Sequence, residues 1–233
     1  MITESGHQHG GIIVIWNDIV PEGRDNFLEW HSREHIPERV GIPGFLRGQR
    51  WFDATSAPQY LTVYDTTGPE VLTSAAYLER LNAPTPWTRR SVADFRNASR
   101  AASRLVWASP GGDGGVALTA RVFDADADAD ALAGAWRASW IPALLAMPGV
   151  ACVRIAATSV AASRVETAER KARVGDLAEP AMTVLVDGYS SAATLRTAFE
   201  TAVRDLPLLR TARVDTYSLQ FSLSASLRPE PKE

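Results

Sequence analysis

The chain has 233 residues, 45% hydrophobic and 22% charged, which is material for one large domain or two of about 100 residues each. A formal charge of −3 leaves no basic footprint for nucleic acid or an anionic membrane, and a single cysteine excludes an intrachain disulfide framework. No stretch approaches the ~18 apolar residues of a membrane span, and the polar Met1–Gly10 segment lacks a signal-peptide core, so the expected location is cytoplasmic.

Residues 11–18 (Gly-Ile-Ile-Val-Ile-Trp-Asn-Asp) form a short apolar run with polar residues at its end, the pattern of a buried strand. From Glu22 to about Arg39 the pattern is helical, with Pro37 near the end, where proline kinks or finishes a helix. Pro43-Gly44 turns the chain into a strand over 45–52, and 59–65 has the composition of a third. A helix over 69–81, a proline-rich connection and another short helix lead to a fourth strand, 100–109. Pro110-Gly-Gly-Asp-Gly-Gly115 reads as a linker. The order then repeats: strand 116–123, helix 128–146, strands 150–158 and 181–187, helix 191–204, strand 212–223. Cys152 falls within one of these strands as a small core residue. Residues 226–233 read as a frayed tail.

The repetition extends to individual residues. Ile36-Pro37 followed by Pro43-Gly44 recurs as Ile141-Pro142 followed by Pro148-Gly149, at an offset of 105. Leu61-Thr62-Val63 matches Met182-Thr183-Val184 at an offset of 121, which leaves the charged stretch 163–179 as an insertion with a solvated surface. Strand–helix–strand–strand–helix–strand, twice, is the split βαβ or ferredoxin-like order. The predicted fold class is α+β: two tandem ferredoxin-like repeats, 1–110 and 115–225. Their antiparallel sheets pack face to face as an intrachain α/β barrel, because each unit carries helices on one sheet face and must cover the other.

The same offset pairs Phe27, His31 and His35 with Leu132, Trp136 and Trp140. In the second repeat Leu132, Trp136, Trp140 and Leu144 form one apolar helical stripe that must face its sheet. If both helices dock alike, His31 and His35 also point inward, into space that indoles fill in the second repeat. Burial and mutual repulsion would keep at least one imidazole neutral near pH 7, fit for general-base work. The alternative is a polar patch of core in which the imidazoles only satisfy neighbouring groups. Asn17 alternates with Ile13 and Ile15 and shares their face; its counterpart is Val122. Arg47, Arg50 and Trp51 lie on the second strand and Tyr60 and Tyr64 on the third, as further candidate lining residues, although the second strand is ambiguous as to face.

His31-Ser-Arg-Glu-His35 formally matches H-x-x-E-H, an inverted zinc-protease signature. That chemistry needs a third ligand, commonly a downstream glutamate, and none occurs between Glu79 and Glu166. His7 and His9 sit in the polar N-terminal arm. No glycine-rich phosphate loop and no serine nucleophile elbow is present.

The run Phe27-Leu-Glu-Trp-His-Ser-Arg-Glu-His-Ile-Pro37, followed by Ile42-Pro-Gly-Phe45 and Arg50-Trp51, resembles the dimeric α/β-barrel superfamily, in particular its EthD-like members. The resemblance covers 11–108; the second repeat keeps the Pro142 and Pro148-Gly149 frame but lacks the Glu-His element. It implies sheet-packed ferredoxin-like units with a small-molecule pocket between sheet and helices, in a superfamily of cofactor-free cyclases, isomerases, decarboxylases, dehydratases, monooxygenases and haem-degrading enzymes. The expected function is a cofactor-independent isomerase, cyclase, dehydratase or decarboxylase acting on a small aromatic, lactone or polyketide-like molecule. His35 transfers a proton, His31 assists, and Asn17, Arg50, Trp51 and Tyr64 bind substrate. No metal or other cofactor is expected; the rival reading is a non-catalytic small-molecule or haem-binding protein. A monomer with an internal pseudo-dimer suffices, and a homodimer is the other option.

Overall fold

Eight segments become strands, some nearly continuous apolar runs and others mixing apolar with charged residues: β1 (Gly11–Ile19), β2 (Phe45–Phe52), β3 (Tyr60–Thr66), β4 (Phe95–Ala108), β5 (Val116–Val122), β6 (Val150–Thr158), β7 (Met182–Gly188) and β8 (Arg213–Ser224). The computed structural model describes residues 10–123, 128–163, 167–168 and 177–225. Between β1 and β2 run α1 (Arg24–Trp30), a π-helical turn (His31–His35) and α2 (Ile36–Val40). A 3-10 turn (Pro69–Thr73), α3 (Ala75–Asn82) and α4 (Pro86–Val92) connect β3 to β4. The second half has α5 (Ala129–Ala138) and α6 (Ile141–Leu145) before β6, α7 (Val160–Ser163) after it, and α8 (Ala192–Ala202) and α9 (Pro207–Arg210) before β8.

The strands close into a barrel in the order β1-β3-β2-β8-β5-β7-β6-β4, antiparallel throughout. Each half supplies four consecutive staves, and the halves join at β2–β8 and β4–β6. This is the predicted α+β barrel. β4 begins at Phe95, earlier than its polar Arg96-Asn97 start suggests, because Phe95 and Arg96 pair with Ile19 and Asp18 of β1, while Asn97 takes left-handed backbone (φ +51°) where the register shifts.

The recurring motifs have a common physical cause. Gly44 and Gly149 both take left-handed backbone, φ +92° and +89°, where a Cβ is strained, so each Pro-Gly pair turns a helix into a strand. Pro37 and Pro142 both sit in the first turn of a new helix, where the missing N–H costs nothing but the preceding helix cannot run through. In the first half a π turn absorbs the break, the Ile36 N–H reaching back to the His31 carbonyl. In the second half the single predicted helix 128–146 parts at Ser139–Trp140 into α5 and α6.

Strand pairing corrects one register. Ile13 faces Tyr64 as Leu118 faces Val186, and Ile15 faces Thr62 as Ala120 faces Val184. The third strands therefore correspond at an offset of 122, not 121. A one-residue slip exchanges the two faces of a strand, so the counterpart of Thr62 is Val184.

The barrel interior is packed by side chains from all eight strands: Trp16, Trp51, Leu61, Val63 and Tyr217 fill space left by Ala101, Ala117 and Ala156. Both ends are charged. Arg121 binds Asp215 (2.5 Å) and stacks over the Trp16 ring, whose Nε1–H donates to Thr119. Arg154 donates to both Asp65 and Asp187 at 3.0 Å, and the Cys152 thiol donates to the same Asp187 carboxylate (3.2 Å). Cys152 is thus a core residue in a polar corner; burial pushes its thiol up to about 12.

The charged part of the predicted insertion (164–166 and 169–176) lies outside the described residues, as do the tail and the arm carrying His7 and His9. The ends of the insertion pack against the first half. β6 covers β4 only from Ser103 onward. The free edge upstream is closed by Ser159 and Leu177, whose N–H groups donate to Ala102 and Ala98, and by Ser163 Oγ, which accepts from the Ala102 N–H.

Candidate functional site between the first-half helices and sheet

Each half has a layer between its sheet and its helices, and the two layers differ in chemistry. In the second half it is one continuous apolar core in which Trp136, Trp140 and Leu144 meet Leu118, Val153, Ile155, Val184 and Phe199. In the first half the apolar residues separate into two groups. One gathers Ile13, Ile36, Phe45, Tyr64 and Tyr77; the other gathers Phe27, Trp30, Tyr60 and Phe95.

Buried polar groups stand on this first-half face. His31 and His35 are 3% and 5% exposed, pointing inward as Trp136 and Trp140 do at 5% and 4%. By strand register Asn17 stands where the second half has Val122, Arg50 where it has Ile155, and Thr62 where it has Val184. Tyr60 and Tyr64 correspond to Met182 and Val186. Thr62 was not singled out from the sequence, although it alternates with Tyr60 and Tyr64.

The π turn sets the geometry of the histidines. Phe27 and His31 stack at 4.9 Å between centroids and His31 and His35 at 5.5 Å, both 21° from parallel, so three rings form a ladder. Trp30 flanks His35 at 4.4 Å. π turns cost regular helical hydrogen bonding and recur at functional sites; this one spans the two histidines and what lies between them. Below it Gly48 lets α2 approach: a Cβ there would lie 2.8 Å from the Tyr64 ring and 2.9 Å from Ile36 Cγ2.

Arg50 is anchored from three directions. Its Nε donates to Gln220 (3.1 Å) and its Nη1 to Ser32 Oγ (3.0 Å) and the Leu28 carbonyl (3.3 Å). Burial pulls its pKa down, against the partial support of Tyr60 and Tyr64. Burial holds the Tyr60 hydroxyl up and therefore neutral. Gln220 is the extra residue of a bulge where β8 pairs with β2 between Arg50 and Trp51; a bulge re-aims side chains, and no sequence pattern announces it. The Asn17 amide makes one long bond, to the Asp18 carbonyl (3.4 Å).

The structure therefore brings His31, His35, Asn17, Arg50 and Tyr64 to one side of the first-half sheet. Trp51 is corrected: strand alternation sends it to the opposite face, into the barrel interior. Arg47 is likewise turned toward the barrel end, pairing with Asp65 and Asp113. Glu34, the formal base of the H-x-x-E-H pattern, accepts hydrogen bonds from Thr85 and Thr88 at the start of α4, and Thr88 in turn accepts from Trp30 Nε1. It ties helices together, and among the described residues no cluster of three metal-ligating side chains occurs.

Solved structures share this architecture. An anthrone oxidase-like protein superposes with a TM-score of 0.57 at 13% identity over 94% of this chain and 95% of its own. A mutant chlorite dismutase from Candidatus Nitrospira defluvii, in complex with cyanide, gives 0.52 at 8% identity over 93% and 92%. At such identities the likeness establishes the ferredoxin-like α+β barrel fold and nothing finer. No family model and no curated protein matches the chain. No described helix is long and apolar enough to cross a membrane.

Haem must be weighed against these residues. Its iron takes an imidazole as axial ligand, and within the described residues only His31 and His35 supply one. Both rings are buried and stacked on aromatic neighbours. A porphyrin would have to displace that stack, so the side chains as they stand do not fit the group.

Proposed function

We propose that this chain is a small-molecule enzyme of the α+β barrel class whose one site lies in the first-half layer, with the two halves acting as tandem ferredoxin-like repeats of EthD-like type (1–110 and 115–225). The polar-for-apolar exchange carries this reading: His31, His35, Asn17, Arg50 and Thr62 occupy positions in the helix–sheet layer that the second half fills with Trp136, Trp140, Val122, Ile155 and Val184. Burying polar groups without need is costly, and the second half demonstrates that the fold tolerates a fully apolar layer.

In this reading His35 moves a proton to or from the substrate, and His31, stacked on it, fixes its orientation. Asn17 donates to a carbonyl oxygen, and Tyr64 forms a wall. Such a set serves isomerisation, dehydration or decarboxylation of a hydroxylated aromatic, lactone or polyketide-like molecule, needing only a placed base and an electrophilic partner. The solved neighbour described as anthrone oxidase-like favours an aromatic substrate. The test is turnover of a panel of hydroxylated aromatics and lactones by the full chain and by His35→Ala and His31→Ala. His35→Ala should lose about 10²–10⁴-fold in rate; full activity in that variant would refute the assignment. Haem binding is the reading these side chains oppose, since both imidazoles are buried in an aromatic stack; a Soret band on haem titration that both alanine variants abolish would overturn that.

A further inference from the structure

Arg121 and Arg154, the buried arginines of the barrel interior, are neutralised where they lie. Arg121 pairs with Asp215, and Arg154 pairs with Asp65 and Asp187. Arg50 is buried to a similar degree, 6% exposed, and is treated differently. Its hydrogen-bond acceptors are an amide oxygen, a hydroxyl and a peptide carbonyl, all uncharged. Its guanidinium carbon lies 5.8 Å from the Phe27 ring and 5.8 Å from the Phe221 ring, and among the described residues no carboxylate pairs with it.

A guanidinium stays charged in proteins, and a buried cation without a counter-charge is destabilising. Ring faces and neutral acceptors soften that cost without cancelling the charge. The fold does not require the cation here, since Ile155 occupies the matching position of the other half. Nor do the anchors use the whole fork: Nε and Nη1 are engaged, while Nη2 makes no hydrogen bond among the described residues. Arg50 is also one ring away from His31, through Phe27.

Building on the small-molecule reading above, we propose that the ligand of this site carries an anionic oxygen, a carboxylate or a phenolate, that serves as the counter-charge of Arg50. Gln220 and Phe221, contributed by β8 of the second half, hold the guanidinium ready for it, so the site is completed across the β2–β8 seam.

The experiment uses the full chain, calorimetric titration and the imidazole resonances in proton NMR. The probes are benzoate against benzamide, and 4-nitrophenolate against nitrobenzene. At least one anion should bind the native chain at least tenfold more tightly than its neutral partner and shift the His31 or His35 resonances; the anion that shows the larger preference identifies the oxygen type. Arg50→Met, which keeps the stem, should abolish this preference, a loss of roughly ten- to a hundredfold, while Arg50→Lys retains part of it. The melting temperature of Arg50→Met should match or exceed that of the native chain, because an uncompensated charge has gone. Equal binding of anionic and neutral probes with shifted imidazoles would overturn the anion assignment and leave the small-molecule reading standing. No imidazole shift with any probe would overturn both. A clear fall in melting temperature for Arg50→Met would make Arg50 a structural tie and overturn the inference on its own.

Discussion

Replacing Gly48 by alanine tests the contact that seats the histidine-bearing helix. The new Cβ would lie 2.8 and 3.0 Å from two carbons of the Tyr64 ring and 2.9 Å from Ile36 Cγ2. Ordinary carbon contacts lie near 3.5–4.0 Å, so the ring and α2 must together yield by about 0.6 Å or more. Overpacking of this kind costs about 1–3 kcal/mol, whereas glycine-to-alanine in unstrained backbone with free space stabilises by about 0.4–1 kcal/mol. The clash should win. At about 2–4 °C per kcal/mol for a chain of this size, the melting temperature should fall by roughly 2–12 °C. Gly134 in α5 is the control: it is exposed, a Cβ there meets nothing within 4 Å, and Gly134→Ala should raise stability by about 1 kcal/mol. Both are read by calorimetry and urea unfolding. The NMR signals of His35, the neighbour of Ile36, should move only in Gly48→Ala. A Gly48→Ala protein as stable as its parent would refute the close approach of α2 and with it the placement of the imidazoles.

Asp215→Ala should destabilise by about 3–5 kcal/mol, because it strands the Arg121 guanidinium inside the barrel; an unchanged unfolding midpoint would contradict that. Cys152 should resist thiol reagents. With its ordinary value near 9.0 pushed up to about 12, the reactive thiolate near pH 8 is roughly a thousandfold scarcer than in the unfolded chain, where labelling should be prompt. The same shift gives a pH dependence. Above pH 9 the unfolded chain loses this proton while the folded one keeps it, so stability falls between about pH 9 and 12. Cys152→Ala should flatten that decline. Thr62→Val, which copies the second-half residue, should leave the unfolding free energy within about 1 kcal/mol of the native value while impairing any turnover found with the native chain.

Much of the barrel was readable because its turns depend on single residues. Gly44 and Gly149 are needed for left-handed backbone, and Pro37 and Pro142 interrupt a helix wherever they stand, so both leave visible marks. The inward aim of His31 and His35 followed from the tryptophans at the matching places. Strand parity was harder. β2 mixes apolar and charged residues on both faces, since one face meets a polar helix layer and the other a barrel interior with buried ion pairs, so its alternation does not reveal that Trp51 faces the interior. The π turn needs an extra residue accommodated three-dimensionally, and the Gln220 bulge exists only once β8 pairs with β2, so neither has a periodicity to detect.

Closure of the barrel within one polypeptide has a consequence for its history and its engineering. In a two-chain barrel built from identical subunits, the rotation axis copies every substitution to both sides, and a mutation that suits a reactive crevice must also be endured by its mirror position. Here the seams β2–β8 and β4–β6 join non-identical staves of one molecule. Each side can drift alone, and the apolar layer of the second half can take up new polar groups without altering the layer of the first.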